Sequence, residues 1–169
     1  MQRDHVDRIL GQWRQERPDL DPSPMGIVGR ISRASRYLES GLATVFDRYG
    51  ISGGEFDVLA TLRRAGTPFR LSHGELARAC MLSPSAMTNR LDRLEAAGLL
   101  LRTPDPKDRR GVLVVLTDDG RELVDTIVVE HIDNERALVA PLSRSDRKAI
   151  ADALRRLLLA FERSEEPPE

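Results

Sequence analysis

Cysteine is almost missing from these 169 residues: Cys80 stands alone, which excludes an internal disulfide and a Cys-rich zinc site. The three histidines, His5, His73 and His131, form no His-x-x-x-His pair and stand near no acidic cluster at ligand spacing, so a metal sensor is poorly supported. Nowhere is there an apolar run long enough to span a bilayer. The N-terminal Met1-Gln2-Arg3-Asp4-His5 is charged where a signal peptide needs hydrophobic residues, so a cytoplasmic location is expected. Bulk positive charge is lacking as well: the formal net charge is −1, so any phosphate-binding footprint has to be local. The chain has no Gly-rich turn from strand to helix and no arguable pair of nucleophile and base. An enzyme is therefore not expected, nor is a cofactor.

What is present favours helices. Aromatics are only 4% of the chain and charged residues 31%, a balance suited to amphipathic helices around a core of modest size. Val6, Ile9, Leu10 and Trp13 have helical spacing within 4–17, ahead of Pro18, Pro22 and Pro24. A second amphipathic stretch, 24–49, carries Ile27, Ile31, Tyr37, Leu38, Leu42, Val45 and Phe46 before Gly50. Ser52 then caps a shorter helix through Phe56, Leu59, Ala60 and Leu62, ended by Gly66 and Pro68.

Residues 71–98 are the most informative. Ser72 and Glu75 have capping-box spacing; Leu76, Ala77 and Cys80 form the apolar side of a short helix; Met81-Leu82 is a turn; Ser83 is a second N-cap. Met87, Leu91 and Leu94 recur at i, i+4 and i+7, and Gly98 stops this helix, placed over 83–97. Ser85, Thr88, Asn89 and Asp92 lie opposite that stripe, with Arg93 beside them and Arg90 at its margin. Short polar side chains on a second helix suit contact with base edges, yet any surface helix of an αα-hairpin reads the same way.

The next segment separates the two. Residues 99–103 and 112–116 are apolar, β-branched runs around a charged turn at 105–111, the pattern of a β-hairpin. A two-stranded ribbon directly after a helix-turn-helix is a wing. From 83 to 111 there are six Lys or Arg (Arg90, Arg93, Arg102, Lys107, Arg109, Arg110) against four acids, which makes this segment modestly basic in a slightly acidic chain. Thr117 caps a helix over 118–139 bearing Leu123, Ile127 and Val128. A last helix, 143–163, bears Ile150, Leu154, Leu157, Leu158 and Phe161. These stripes exceed what a small winged-helix core can cover, so the N-terminal helices (1–50) and C-terminal helices (118–163) are expected to build a dimer interface around a DNA-binding unit, 51–117, with 164–169 a flexible tail.

Asp105-Pro106-Lys107-Asp108-Arg109-Arg110, followed by Val114, Leu116-Thr117 and Gly120, resembles the wing signature of the MarR family of bacterial transcription regulators; Glu75-Leu76-Ala77, Leu82-Ser83 and Leu94 to Leu99 match it too. The resemblance implies a mainly α winged helix-turn-helix fold with a small β-hairpin wing, a homodimer, and a double-stranded DNA partner. Ser85, Thr88, Asn89 and Arg93 would face base edges; Ser83, Arg90, Lys107 and Arg109 would face phosphates; Asp108 would hold Arg110 extended into a minor groove. The added N-terminal helix is similar to the urate-responsive, PecS-like branch. That likeness implies a site for a small anionic aromatic ligand at Trp13, Asp57, Arg64 and Arg102, whose occupation would release a repressor from a pseudo-palindromic operator. Oxidation of Cys80, and a winged helix that binds protein without catalysis, are the competing readings.

Overall fold

The structure, a computed structural model of the chain, describes residues 2–106, 108 and 111–165. Asp4 opens the first helix, α1 (His5–Glu16), through a capping box with Asp7, and the prolines that follow turn the chain into α2 (Ser23–Asp47). The two helices meet across small residues of α2: a side chain at Gly26 would stand 3.2 Å from Leu10, and one at Gly29 would stand 3.6 Å from Val6. Arg30 ties the pair together, donating to Asp4 at 2.8 Å and to Asp7 at 2.7 Å.

Ser52 caps α3 (Gly53–Arg64), and its box partner is Glu55. A tight turn follows, and its Phe69 ring lies under Arg63 of that helix and Arg121 from later in the chain, at 5.1 and 5.9 Å. The chain then enters β1 (Arg70–Ser72), α4 (His73–Ala79), α5 (Pro84–Ala96), β2 (Leu100–Pro104) and β3 (Val112–Leu116) before α6 (Asp118–Leu138) and α7 (Arg144–Glu165). The expected hairpin is present with an additional strand: the sheet is antiparallel in the order β1-β3-β2, with Leu71 opposite Val114 and Arg102 opposite Val114 from the other side. Ser72 thus ends a strand and caps a helix at once. Helix α7 runs through Ser164 and Glu165, past the position where the sequence pattern placed its end.

One core joins the end of α2, at Val45 and Phe46, with α3, α4, α5, the sheet and α6. Leu59, Leu62, Leu76, Met87, Leu91, Leu94, Leu100, Val114, Val124 and Ile127 are fully buried within it. The stripe Met87, Leu91, Leu94 faces inward as its spacing requires, and so turns Ser85, Thr88, Asn89, Asp92 and Arg93 outward. Outside this core the pattern reverses. Ile27, Ile31, Tyr37 and Leu38 of α2 and Ile150, Leu154, Leu157, Leu158 and Phe161 of α7 remain exposed. No helix is long and apolar enough to cross a membrane among the described residues.

Candidate nucleic-acid interface and adjoining cavity

Helix α5 is held at its start by Ser83, whose hydroxyl accepts from the Ala86 N–H at 3.3 Å and lies 3.3 Å from the Ser85 hydroxyl. Beyond this cap the polar face is Ser85, Thr88, Asn89 and Arg93, all exposed. His73, at the start of α4, comes within 3.5 Å of the Thr88 hydroxyl and so belongs to the same surface. Sequence reasoning passed over it because a lone histidine carries no pattern. Arg90 is half-buried and donates to the Gly54 carbonyl at 3.3 Å, on the side of α5 that faces α3. Arg93 lies 3.6 Å from Glu55 of α3.

Glu55 is a buried acid, and the sequence pattern gave it no part. Its Oε2 accepts from the Ser52 N–H and hydroxyl, both at 2.7 Å. Burial raises its pKa, but the Ser52 bonds and the charges of Arg93 and Arg90 outweigh burial and hold the carboxyl below the ordinary range. The spacing Ser52-x-x-Glu55 is the signal that could have found it.

The ends of the wing strands are fixed by the Asp105 N–H donating to the Gly111 carbonyl and the Gly111 N–H donating to the Asp108 carbonyl, each at 2.9 Å. Asp108 is exposed at this turn. Lys107, Arg109 and Arg110, the expected phosphate and minor-groove contacts, lie outside the described residues. Arg102 straps β2 to α5: its Nε donates to Glu95 at 2.8 Å, its Nη1 pairs with Asp92 at 2.7 Å, and its backbone N–H donates to Glu95 at 2.9 Å. The Arg102 guanidinium and N–H in turn hold the Glu95 carboxyl below its usual range. This bidentate arrangement fixes the angle between helix and wing.

Of the four residues expected to bind a ligand, the fold brings two together. Asp57 and Arg64, two turns apart on α3, line a cavity of about 490 Å³ with Glu39, Phe46, Phe56 and His131. Phe46, Phe56 and His131 form its aromatic wall, with ring centroids 4.8 to 5.2 Å apart. Arg64 donates to the Thr61 hydroxyl at 2.9 Å. Trp13 is exposed on α1, and Arg102 is taken up by Glu95 and Asp92; neither lines this cavity. A one-dimensional pattern could not show that Arg102 has acidic partners on the neighbouring helix. Cys80 is buried, and its thiol lies 3.6 Å from the Thr61 oxygen. Burial pushes the thiol up, against the Thr61 bond and with Asp57, which keeps it protonated and places it in the core rather than at a reactive surface.

Residues 51–112, from just before the α3 cap to the first residue of β3, match the MarR family. Over 152 residues the chain is 45% identical to the HTH-type transcriptional regulator PecS of Dickeya dadantii, covering 90% of this chain and 92% of that protein. Among solved structures, a MarR family transcriptional regulator from Streptomyces coelicolor in complex with DNA superposes with a TM-score of 0.76 at 26% identity, covering 82% of this chain and 88% of the other. BpsR of Bordetella bronchiseptica, whose DNA binding is regulated by 6-hydroxynicotinic acid, superposes with a TM-score of 0.70 at 28% identity, covering 78% and 98% of the two chains. The fold, the helix-turn-helix with its wing, and the extent of the likeness to PecS agree: this chain belongs to the MarR family of DNA-binding transcriptional regulators.

Proposed function

We propose that the chain acts in the cytoplasm as a homodimeric repressor whose paired α5 helices read a pseudo-palindrome and whose release from DNA follows binding of a small anionic aromatic molecule, such as urate, beside α3. The observation that carries the ligand reading is the cavity that places Arg64 and Asp57 against the Phe46, Phe56 and His131 rings. A flat anion needs a face to lie on and a charge-assisted donor at its edge, and this wall supplies both. Regulation of BpsR by 6-hydroxynicotinic acid, itself a flat aromatic acid, favours the same ligand class. Asp57 is the group an incoming anion would repel, and it stands on the helix against which α5 packs. Occupation can shift the dimer only through unequal affinity for the two half-site spacings.

For the DNA side, Ser85, Thr88, Asn89 and Arg93 are assigned to base edges and Ser83 to phosphate. Lys107, Arg109 and Arg110, with Asp108, are assigned to the wing contact on the strength of the sequence signature. Arg90, tied to Gly54, would have to leave that carbonyl to reach a phosphate. The test of the ligand reading is a mobility shift on the operator titrated with urate and with 6-hydroxynicotinate, for wild type and Arg64→Ala. Wild type should be released and Arg64→Ala should need at least about tenfold more ligand, the loss expected for one charge-assisted bond, while its affinity without ligand is unchanged. Equal release of both proteins would remove Arg64 from the site, and no release of either would remove this ligand class.

A further inference from the structure

The first turn of α3 touches α5 at two points, and both hold an arginine. A side chain built on Gly54 would stand 2.4 Å from the Arg90 Cζ, so the guanidinium occupies the space glycine leaves and donates to that residue's carbonyl. One residue on, the Glu55 side chain is 9% exposed and presents its Oε1 to Arg93 at 3.6 Å, while its Oε2 is committed to Ser52. A carboxylate so withdrawn from water persists only with partners, and these are the Ser52 cap on one side and the arginine on the other. Arg93 itself is 69% exposed, so its stem and head would otherwise sweep a wide arc over the polar face of α5.

We propose that Glu55 is a positioning residue for sequence recognition: without touching DNA, it holds Arg93 in the orientation that meets a base edge, as Gly54 holds Arg90. This rests on α5 being the reading helix. An arginine held in one place distinguishes bases, whereas a free one settles on the nearest phosphate and adds only sequence-independent affinity. Removing the acid therefore lowers discrimination and raises non-specific binding. The opposite face of the same turn, through Gly53, Phe56 and Asp57, lines the cavity beside α2, so a molecule bound there would press on the segment that places both arginines.

A double-mutant cycle tests this on the full chain, using the operator it selects from random duplexes and an unrelated duplex at the same salt. Glu55→Gln keeps the capping box, since the glutamine oxygen also accepts from the cap residue's N–H, and replaces the carboxylate oxygen facing Arg93 by an amide NH2 that cannot accept from it. The ratio of operator to non-specific affinity should fall about tenfold in Arg93→Gln and several-fold in Glu55→Gln. In the double variant it should fall no further than in Arg93→Gln alone. Independent effects that multiply in the double variant, or no loss of discrimination in Glu55→Gln, would overturn the role of Glu55. An Arg93→Gln protein with unchanged discrimination would instead overturn the assignment of Arg93 on the reading helix. Should Glu55→Gln fail to fold, Glu55→Asp, which keeps the charge but shortens the reach from α3 to Arg93, runs the same cycle with Arg93→Gln, and effects that multiply there overturn the role of Glu55.

Discussion

Gly120→Ala is expected to destabilise the chain by about 3 kcal/mol, at the upper end of what overpacking costs, and to lower the melting temperature by about 10 °C. The reason is a backbone contact rather than a conformational demand. A Cβ at Gly120 would stand 1.9 Å from the Leu99 carbonyl oxygen and 2.9 Å from its carbon, and neither of those atoms can swing aside as a side chain can. The approach is close because Thr117, which caps α6 by accepting from the Gly120 N–H at 3.0 Å, also donates through its hydroxyl to the Gly98 carbonyl and through its N–H to the Leu99 carbonyl. The start of α6 is thereby fastened to the entry of β2, and so the long helix is fixed relative to the wing. A thermal melt followed by circular dichroism checks the expectation, and a change of less than about 1 kcal/mol would mean that this junction yields.

Leu154→Asp combined with Leu158→Asp is expected to leave the chain folded and to separate the dimer, with operator affinity falling by two orders of magnitude or more. Both side chains are exposed on α7, 38% and 56%, and contribute nothing to the central core. They share that exposure with Ile150, Leu157 and Phe161 on the same helix and with Ile27, Val28, Ile31 and Leu38 on α2. The two surfaces adjoin: Leu154 lines a groove with Ile31, Leu38 and Leu42 of α2. Exposed apolar surface of this extent on two neighbouring helices calls for a covering partner, and the proposed occupant is the second protomer. Buried unpaired carboxylates would oppose that association strongly. Loss of the link between half-sites removes the gain of about 10² to 10⁴ that two tethered reading units have over one. Light scattering coupled to size exclusion gives the mass. A dimer of unchanged stability in the double variant would place the interface elsewhere.

The elements that decide their own boundaries could be read from the sequence. Ser52, Ser72, Ser83 and Thr117 each cap the helix that follows, because a cap is a local bond over three residues, and the stripe Met87, Leu91, Leu94 turned the polar face of α5 outward as its period dictates. Strand β1 could not be read: three residues are too few to show a period of two, and its partner β3 lies some forty positions away. A comparable separation hid the contact of Arg90 with Gly54. The family likeness alone grouped Arg102 with Trp13, Asp57 and Arg64, whereas the fold sets it against Glu95 and Asp92. The chain is rich in charged residues of both signs, so which of them pair is settled by tertiary geometry. Asp57 and Arg64 stand two turns apart on one helix face, as their spacing implied, and line one cavity, whereas Trp13 is exposed on α1.

The central claim is that the polar face of α5 reads a DNA sequence, and it is tested most directly by selecting binding sites from random duplexes with wild type and with Asn89→Ala in parallel. Asn89 is exposed on α5 between Thr88 and the tethered Arg90 and takes no part in the core. Wild type should return a two-fold symmetric site whose half-sites are centred about one helical turn, or about 10 base pairs, apart. Asn89→Ala should return the same spacing with the preference relaxed at one position of each half-site. Identical sites from both proteins, or no symmetric site from wild type, would contradict the account.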